Sequence, residues 1–559
     1  MATVQESLYA FPLAASPEAV EWQGESIGRS NAITRTKSRT KVHDKVVDRT
    51  PGRREHLVNA AIAHIVQNAG REPIFLHDVV IHGIRVRAIT NSEHLITFWR
   101  QNWYSPEEWG QTTGNAAPAE PRVVVYALGG VAAEPEAAYY SRATSTVIFF
   151  NTSYYGQLKS WVLGAVGRVL AADYGIHSIH GACVERDGNG VLYIAPTGTG
   201  KSTSSYGLMT YPRTRFHSDD WVYVRYARTT RDGRPLVPIE IETNRLEIVR
   251  GYRCNRWLDN HPAERGTARC LDLANEEVTV DLDQFDRARP VEAYAYTSEK
   301  VSYLRTNLVE TFPDAADAIL GSHLENVPSP TPAFQRANAG TVESIVDALR
   351  TSDHPGVRQG LGRLPTDRLR RIVSSLFAFD NARAMLDIGE VFERSRVFLN
   401  PMEPVRLTTV FLLKRTPADP IVLKVLPLDH FMDRLLVGQT PDGKREIAYN
   451  AYRAVDEDAE KQTMQALEAR AQPTVQSLYQ LFEQTEDAPE SLREEFALFR
   501  EMHRATVCYD LNTTLQQDPR VASKKEAVRL TLQLIVRGVE NRSRDLCLTL
   551  DDYRAQIRG

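Results

Sequence analysis

A strand-to-helix connection near residue 200 carries the residue types that hold nucleotide phosphates. An apolar run at 191–195 is followed directly by the sequence PTGTGKST. Its glycines allow successive backbone N–H groups to converge on an anion, and the start of the next helix adds a positive potential. In this motif Lys201 neutralises the β- and γ-phosphates and the hydroxyl of Ser202 is a ligand for Mg²⁺. The spacing predicts that ATP and Mg²⁺ bind through Pro196, Thr197, Gly198, Thr199, Gly200, Lys201, Ser202 and Thr203.

Two adjacent carboxylates, Asp219 and Asp220, follow eighteen and nineteen residues after Lys201. This separation accommodates one helix, one connection and the start of the next strand. Near Mg²⁺ one carboxylate can hold the metal while the other accepts a proton from an attacking hydroxyl. Because neighbouring residues of a strand point to opposite faces, both can face the phosphates only from a bulge or a turn. The pair is therefore a candidate for metal binding and proton transfer, and its alternative is a solvated surface turn.

A single histidine, His180, stands immediately before the segment GACVERDGNGVLYIA. The DGNG sequence in the middle of this segment is typical of a β-hairpin turn. Such a hairpin brings the start of its first strand beside the end of its second strand, where the phosphate loop begins. We therefore expect His180 to lie near the acidic pair, where it can hydrogen-bond one carboxylate and hold its orientation.

Together these features resemble the kinase domain of the HPr kinase/phosphorylase family. The resemblance rests on IHGACVERDGNGVLYIAPTGTGKS followed by SDD, and it covers about residues 175–226. A more distant resemblance is to phosphoenolpyruvate carboxykinase. The resemblance implies an α/β fold of that type, with Lys201 and Ser202 binding nucleotide and metal and His180 orienting an aspartate. It further implies that Asp219 and Asp220 supply the catalytic base and a metal ligand, the latter assigned to Asp220.

Other segments resemble this family less closely. RLEIVRG at residues 245–251 is similar to a Leu-Glu-Ile-Arg-Gly segment with one residue inserted. The resemblance implies Glu247 as a further metal ligand and Arg250 as a substrate contact. Arg305, in a Tyr-Leu-Arg-Thr element, is a second candidate substrate contact, and Lys300 and Lys414 are weaker ones. For each of them the alternative is an ordinary solvated charge.

Composition excludes several classes of protein. The net charge of −4 argues against a general polyanion binder, and the five scattered cysteines contain no CxxC pair that would indicate zinc binding. The first residues do not form a signal peptide, and no apolar run is long enough to cross a bilayer. We expect a cytoplasmic protein without membrane contact. The basic stretch 29–54 lacks interleaved aromatic residues, which favours a solvated arm over nucleic-acid binding.

Hydrophobic periodicity divides the chain into four segments. Residues 1–55 are predicted to be a flexible basic arm, and 56–178 a small N-terminal α+β domain. Residues 179–430 are predicted to be the P-loop kinase domain, with a helical insertion near 331–380. Residues 431–559 are predicted to be mainly helical. The predicted fold class is therefore α/β: an HPr kinase/phosphoenolpyruvate carboxykinase-like nucleotide domain with an N-terminal α+β domain and a helical C-terminal extension.

The predicted function is that of an ATP-dependent kinase acting on a hydroxyl of a small molecule or of a serine in a protein or peptide. Two alternatives stay open: a nucleotide-sensing regulator without turnover, and a phosphoenolpyruvate carboxykinase-type lyase. The chain after the kinase segment is much longer than in HPr kinase, and no region for recognising HPr is evident. The acceptor, the choice of ATP over GTP, a reverse phosphorylase activity and homo-oligomer formation therefore stay open as well.

Overall fold

The chain is a mixed α/β protein, which confirms the predicted class at that level. The computed structural model describes residues 41–44, 46–132, 134–151, 155–196, 199–305, 332–352, 358, 361–378, 383–387, 392–437, 455, 457–471, 477–518, 521, 524–541 and 545–557. Within these residues the strands form three sheets of six, fourteen and two strands, accompanied by fifteen α-helices.

The strands lie throughout the described chain. In order they are β1 Lys41–Asp44, β2 Phe75–Ile81, β3 Ile84–Thr90, β4 Val123–Leu128, β5 Ala137–Ser141, β6 Thr146–Phe150, β7 His177–Ile179, β8 Gly181–Arg186, β9 Asn189–Ile194, β10 Thr214–Ser218, β11 Val222–Thr229, β12 Pro235–Thr243, β13 Ile248–Arg250, β14 Gly266–Leu271, β15 Glu277–Asp281, β16 Glu292–Tyr296, β17 Val301–Arg305, β18 Arg383–Asp387, β19 Val405–Lys414, β20 Ile421–Val425, β21 Val507–Asn512 and β22 Cys547–Thr549.

The helices become more frequent toward the end of the chain. In order they are α1 Arg53–Gln67, α2 Glu93–Asn102, α3 Pro106–Thr113, α4 Tyr155–Val169, α5 Lys201–Leu208, α6 Arg253–Asn260, α7 Pro332–Ala337, α8 Ala339–Thr351, α9 Thr366–Ala378, α10 Leu428–Val437, α11 Glu457–Arg470, α12 Leu478–Glu483, α13 Glu490–Ala505, α14 Lys524–Asn541 and α15 Leu550–Ile557.

The chain is divided into two compact units. Unit 1 comprises residues 1–110, 116–162 and 299–399, and unit 2 comprises 111–115, 163–298 and 400–559. Residues 299–399, which include the predicted helical insertion, thus cluster with the N-terminal part of the chain. The insertion is helical as expected, with α7, α8 and α9. The four predicted domain boundaries remain predictions.

Unit 1 is built on the six-stranded sheet, in the order β1-β5-β6-β4-β3-β2. Strand β1 belongs to the stretch predicted to be a flexible arm, and it pairs in parallel with β5. Val47, just after it, is 1% exposed and packs in a core with Leu57 of α1 and Phe150 of β6. Burial of this side chain joins the end of the predicted arm to the unit, because exposing it would cost hydrophobic free energy. Residues 1–40 lie outside the described residues.

Unit 2 is built on the fourteen-stranded sheet, whose main path is β10-β8-β9-β19-β16-β11-β12-β14-β15. Strand β11 is buried along its whole length, as expected for a strand covered on both faces. A second core, formed by β12, α6 and β14, includes Ile241, Trp257 and Cys270. The phosphate loop and the acidic pair both belong to this unit.

The predicted β-hairpin is present and is formed by β8 and β9. Asp187 and Gly188 connect the two strands, and both have positive φ angles, of 52° and 75°. Two consecutive residues of this kind match the right-handed twist of the strands, which is why Asp-Gly is favoured here. Gly181 at the start of β8 pairs with Ile194 at the end of β9. The hairpin therefore brings the residue before β8 next to the phosphate loop.

No helix in the described ranges combines the length and the apolar character that crossing a lipid bilayer requires.

His217 is a buried histidine on β10, and its burial leads us to expect that the protein loses stability at acid pH. Burial lowers the pKa of His217 to about 3, and its Nδ1 lies 3.0 Å from the Ser218 hydroxyl oxygen. Below pH 6.5 the unfolded chain binds a proton that the folded chain excludes, so stability falls as the pH falls. Between pH 6.5 and 3 we expect this histidine to lower the free energy of unfolding by about 1.4 kcal/mol per pH unit. Denaturant unfolding of the full chain at a series of pH values measures this slope.

The comparison that isolates this contribution uses two variants. His217→Gln removes the titrating group and should flatten the pH dependence relative to the unsubstituted chain. His430→Gln, at an exposed position of α10, should leave the slope unchanged. Equal slopes in the unsubstituted chain and His217→Gln would contradict the prediction.

Candidate functional site

One edge of the large sheet collects the ends of three neighbouring parallel strands, β9, β19 and β21. Leu412 of β19 pairs with Ile194 at the end of β9, and Lys414 at the end of β19 pairs with Asn512 at the end of β21. In open α/β sheets, ligands bind outside the carboxyl ends of parallel strands. The connection from β9 to α5, which contains the phosphate motif, begins at this edge.

The histidine and the acidic pair reach the same edge from antiparallel strands. His180 precedes β8, which begins opposite the end of β9. Strand β10 pairs with β8 so that Ser218, its last residue, lies opposite Cys183. Asp219 and Asp220 therefore follow β10 beside the start of β8. The pairing of β10 shifts register between Phe216 and Ser218, and Asp219 and Asp220 themselves lie in a bend between β10 and β11, outside either strand.

The phosphate loop turns tightly and then enters α5. The amide and the hydroxyl of Thr199 both donate to the carbonyl of Pro196, at 3.4 and 2.8 Å. Gly200 has a φ of +107° and lies immediately before Lys201, the first residue of α5. The Nζ atom of Lys201 is shielded from solvent. Ser202 and Thr203 occupy the first turn of the helix, whereas Thr197 and Gly198 lie outside the described residues.

The backbone of Gly200 explains why only glycine suits this position. A φ of +107° is reached readily by glycine and at a cost of about 1–2 kcal/mol by residues with a Cβ atom. Gly200→Ala is therefore expected to weaken ATP binding about tenfold. The free energy needed to bring the strained loop into its binding conformation is subtracted from the free energy of binding. Equilibrium dialysis with ATP measures this effect.

A matched control distinguishes the effect of backbone strain in the loop from the effect of the same strain elsewhere in the protein. Gly188 in the β8–β9 turn also has a positive φ, of +75°, and an added Cβ would meet no atom within 4 Å. Gly188→Ala should destabilise the protein by a similar amount and leave ATP affinity unchanged. If both variants bind ATP as the unsubstituted chain does, the conformation of Gly200 is irrelevant to binding.

Two of the predicted catalytic side chains, His180 and Asp220, are in direct contact. His180 Nε2 lies 3.2 Å from Asp220 Oδ1, and the two side chains are 20% and 25% exposed. The imidazole stacks on the indole of Trp221, with ring centroids 5.7 Å apart. Trp221 Nε1 in turn donates to the Ser178 hydroxyl at 2.6 Å. The indole thus holds the imidazole, and the imidazole holds a carboxylate that solvent or a ligand can reach.

Asp219 has a different environment from its neighbour. It is 6% exposed, and the Ser205 hydroxyl of α5 lies 3.4 Å from its Oδ1 atom. The same hydroxyl lies 3.1 Å from the carbonyl oxygen of Ser202. Asp219 therefore lies against the first turns of the helix that begins with Lys201. The two adjacent aspartates are divided between a buried position at α5 and an accessible position at His180.

Glu247 lies on the β12–β13 connection of unit 2, and Arg250 is the last residue of β13. The Glu247 amide donates to the Thr243 hydroxyl at 3.2 Å, and the side chain is exposed. Glu247 lines a cavity of about 530 Å³ together with residues of α6, α12 and α13. The Arg250 guanidinium pairs with Glu240 and is 62% exposed. These contacts join the two residues to their own hairpin and its cavity, and their proposed roles at the phosphate loop remain predictions.

The other candidate substrate contacts are distributed over both units. Arg305 ends β17 in unit 1, and its backbone pairs with Arg383. Lys300, also in unit 1, donates to Glu108 at 2.5 Å. Lys414 lies in unit 2, where its Nζ atom contacts Asp419 at 2.6 Å and Asp510 at 2.5 Å. The two carboxylates offset the charge of Lys414 at the end of β19, and its role as a substrate contact remains a prediction.

Two residues at the same edge were missed by the sequence reasoning, Arg415 and Thr513. Arg415 directly follows β19, and one of its guanidinium nitrogens lies 3.9 Å from the point that a Cβ atom on Gly200 would occupy. Thr513 follows β21, and its hydroxyl oxygen lies 3.1 Å from the carbonyl oxygen of Thr199. Both are far from the loop in sequence, so only the parallel pairing of β9, β19 and β21 relates them to it.

The donor set at this edge suits Mg²⁺, which prefers oxygen ligands and keeps some sites for phosphate and water. A hydroxyl of Ser202 and the carboxylates of Asp219 and Asp220 are donors of that kind. In the described part of the chain no three His, Cys, Asp or Glu side chains form a cluster that could hold a metal ion by themselves. No protein-family model and no curated protein matches this chain.

Proposed function

We propose that this chain is an ATP-dependent kinase with an HPr kinase/phosphoenolpyruvate carboxykinase-like P-loop domain in unit 2. Its substrate is a hydroxyl of a small molecule or of a serine in a protein or peptide. The observation that carries the proposal is the His180–Asp220 contact of 3.2 Å at the sheet edge where the phosphate loop begins. A phosphate loop by itself indicates only a nucleotide binder, whereas an oriented, accessible carboxylate beside it supplies a base.

The nucleotide is held by the loop and the start of α5 in this proposal. Backbone N–H groups and the positive end of the helix attract the phosphates, and Lys201 neutralises charge on the terminal two. The hydroxyl of Ser202 and carboxylate oxygens of the Asp219–Asp220 pair would hold Mg²⁺. The metal would supply charge neutralisation on the transferring group, which is the largest requirement of phosphoryl transfer.

The resemblance implies Asp220 as the metal ligand, but we propose it as the base instead, because it is accessible and its orientation is held by His180. Asp219 is buried against the Ser205 hydroxyl, whereas Asp220 is 25% exposed and contacts His180. Asp220 accepts the proton of the acceptor hydroxyl as that oxygen forms its bond to the γ-phosphorus. The bond between the γ-phosphorus and the bridging oxygen breaks, and ADP leaves with the electron pair. His180 holds the carboxylate in the productive orientation, and Trp221 holds His180.

The decisive experiment follows the γ-phosphate. The purified full chain is incubated with Mg²⁺ and γ-labelled ATP, with either a pool of hydroxyl metabolites that includes free serine or a pool of extracted proteins. Label on an acceptor, lost in Asp220→Asn, supports the proposal and identifies the acceptor class. Release of CO₂ that depends on oxaloacetate would instead support a lyase. ATP binding without transfer, unchanged in Asp220→Asn, would support a regulator.

A further inference from the structure

The guanidinium of Arg415 lies at the phosphate loop although it is 215 residues away from Gly200 in sequence. Strand β19 lies parallel to β9 over five paired positions, so both strands end at one edge. Arg415 is the first residue after β19, and its Nη2 atom lies 3.9 Å from the point that a Cβ on Gly200 would occupy. Gly200 directly precedes Lys201, the residue that this motif directs at the β- and γ-phosphates. The guanidinium thus lies beside the residue that directly precedes Lys201.

Among the described residues, the hydroxyl of Thr513 links this arginine to the loop. Arg415 Nε donates to Thr513 Oγ1 at 3.2 Å. The same oxygen lies 3.1 Å from the carbonyl oxygens of Thr199 and of Lys414, so it can donate its proton to either. Thr513 therefore links the ends of β19 and β21 to the loop. An arginine held through Nε keeps the outer edge of its guanidinium available for a second contact.

The charge of Arg415 is not neutralised by any carboxylate in the described residues. Burial lowers the pKa of Arg415, and within the described ranges no charged group contributes to that change. The adjacent Lys414, by contrast, contacts two carboxylates, Asp419 and Asp510. A half-buried guanidinium without a counter-ion is costly unless a ligand supplies the negative charge. A phosphate group is one of the anions that a planar guanidinium binds through two parallel hydrogen bonds.

We propose that Arg415 binds the β- and γ-phosphates of the nucleotide and stabilises the charge that develops during transfer. This inference rests on the proposed kinase function. It assigns Arg415 as an arginine supplied within the same chain, with Thr513 as the residue that positions it. In phosphoryl transfer such an arginine acts mainly on the transition state, because negative charge on the oxygens of the transferring group increases there.

The test compares Arg415→Gln and Arg415→Lys with Arg406→Gln. Arg406 is the matched control because it lies near the other end of β19, where it pairs with Glu292 at 2.6 Å and is 59% exposed. Calorimetric titration with ATP, ADP and AMP measures binding, and transfer of labelled γ-phosphate measures turnover. We expect Arg415→Gln to weaken ATP binding about 10- to 100-fold and to leave AMP binding unchanged. Turnover should fall about 10³-fold, and Arg415→Lys should recover only part of it.

Several outcomes separate this inference from the proposed function. If the unsubstituted chain binds no nucleotide, both fail together. If it transfers phosphate and Arg415→Gln binds ATP and turns over within about twofold of it, only the inference fails. If it binds ATP without turnover, the ATP-to-AMP affinity ratio in Arg415→Gln still decides the role of Arg415. A uniform loss for all three nucleotides would also overturn the inference, because it would indicate a general structural effect.

Two further variants guard against misfolding as an explanation. Free guanidinium at millimolar concentration should partly restore turnover in Arg415→Gly and should not change Arg406→Gly. Thr513→Val preserves shape and removes the hydroxyl, so it should lower turnover about tenfold with little change in AMP binding. Absence of guanidinium rescue, together with a stable and folded Arg415→Gly, would contradict a direct role for the guanidinium.

Discussion

Lys201→Ala is expected to abolish γ-phosphoryl transfer, with a fall of about 10³-fold or more. Lys201 is the first residue of α5, and its ammonium is shielded from solvent. In such a shielded position an electrostatic contact is stronger than in water. Its removal leaves negative charge on the terminal phosphates without its main protein counter-charge. Single-turnover measurement with labelled ATP, combined with titration of ATP binding, gives the loss in both the chemical step and affinity.

The control for Lys201→Ala must remove a lysine from the same unit without touching the loop. Lys424 lies on β20, a strand that pairs with β21 and β22, and Lys424→Ala should retain full transfer. Thermal unfolding should show that Lys201→Ala remains folded, because position 201 is a helical residue and alanine favours helix. Persistence of nucleotide-dependent turnover in Lys201→Ala would make the kinase proposal wrong.

Asp220→Asn is expected to lower transfer about 10²- to 10⁴-fold while ATP binding changes little. The substitution keeps the shape of the side chain and its contact with His180, and it removes the basic oxygen that accepts the hydroxyl proton. Asp219→Asn addresses the buried member of the pair, which contacts Ser205. It should affect stability and ATP affinity more than the chemical step. The contrast between the two variants tests the division of roles that their different exposures suggest.

Two further variants complete the experiment: one at His180, which contacts Asp220, and one at an exposed aspartate outside the site. His180→Asn should reduce the rate less than Asp220→Asn, because the carboxylate remains and loses only its orientation. Asp283→Asn, at an exposed position of the same unit, should have no effect. If Asp219→Asn abolishes the chemical step and Asp220→Asn leaves it intact, Asp219 is the base and the assignment of Asp220 is wrong.

Local structure was predictable because short-range interactions determine it. The Asp187-Gly188 turn is specified by the ease with which these two residues adopt positive φ angles, so the β8–β9 hairpin follows from its sequence. The change from an apolar strand to a glycine-rich loop and a helix was likewise evident at residues 189–208. The contact between His180 and Asp220 was anticipated because the hairpin itself brings that histidine to the loop.

Long-range pairing decided the rest. Strand β1 pairs into the sheet of unit 1 and Val47 packs in its core, although charge and composition alone indicated a solvated arm. Residues 299–399 cluster with unit 1. Periodicity could not predict this, because contacts between distant parts of the chain leave no local pattern in the sequence.

The site shows the same division. The sequence by itself determined the strand–loop–helix connection that carries Lys201 and the proximity of His180 to the acidic pair, because these depend on a few consecutive elements. Only the tertiary structure decided that Asp219 is buried and Asp220 accessible, since burial depends on how α5 packs beside β10. Only the parallel pairing of β9, β19 and β21 brings Arg415 and Thr513 to the loop. The order of strands in a sheet is set by the summed free energy of burial over the whole unit, which a local sequence pattern does not encode.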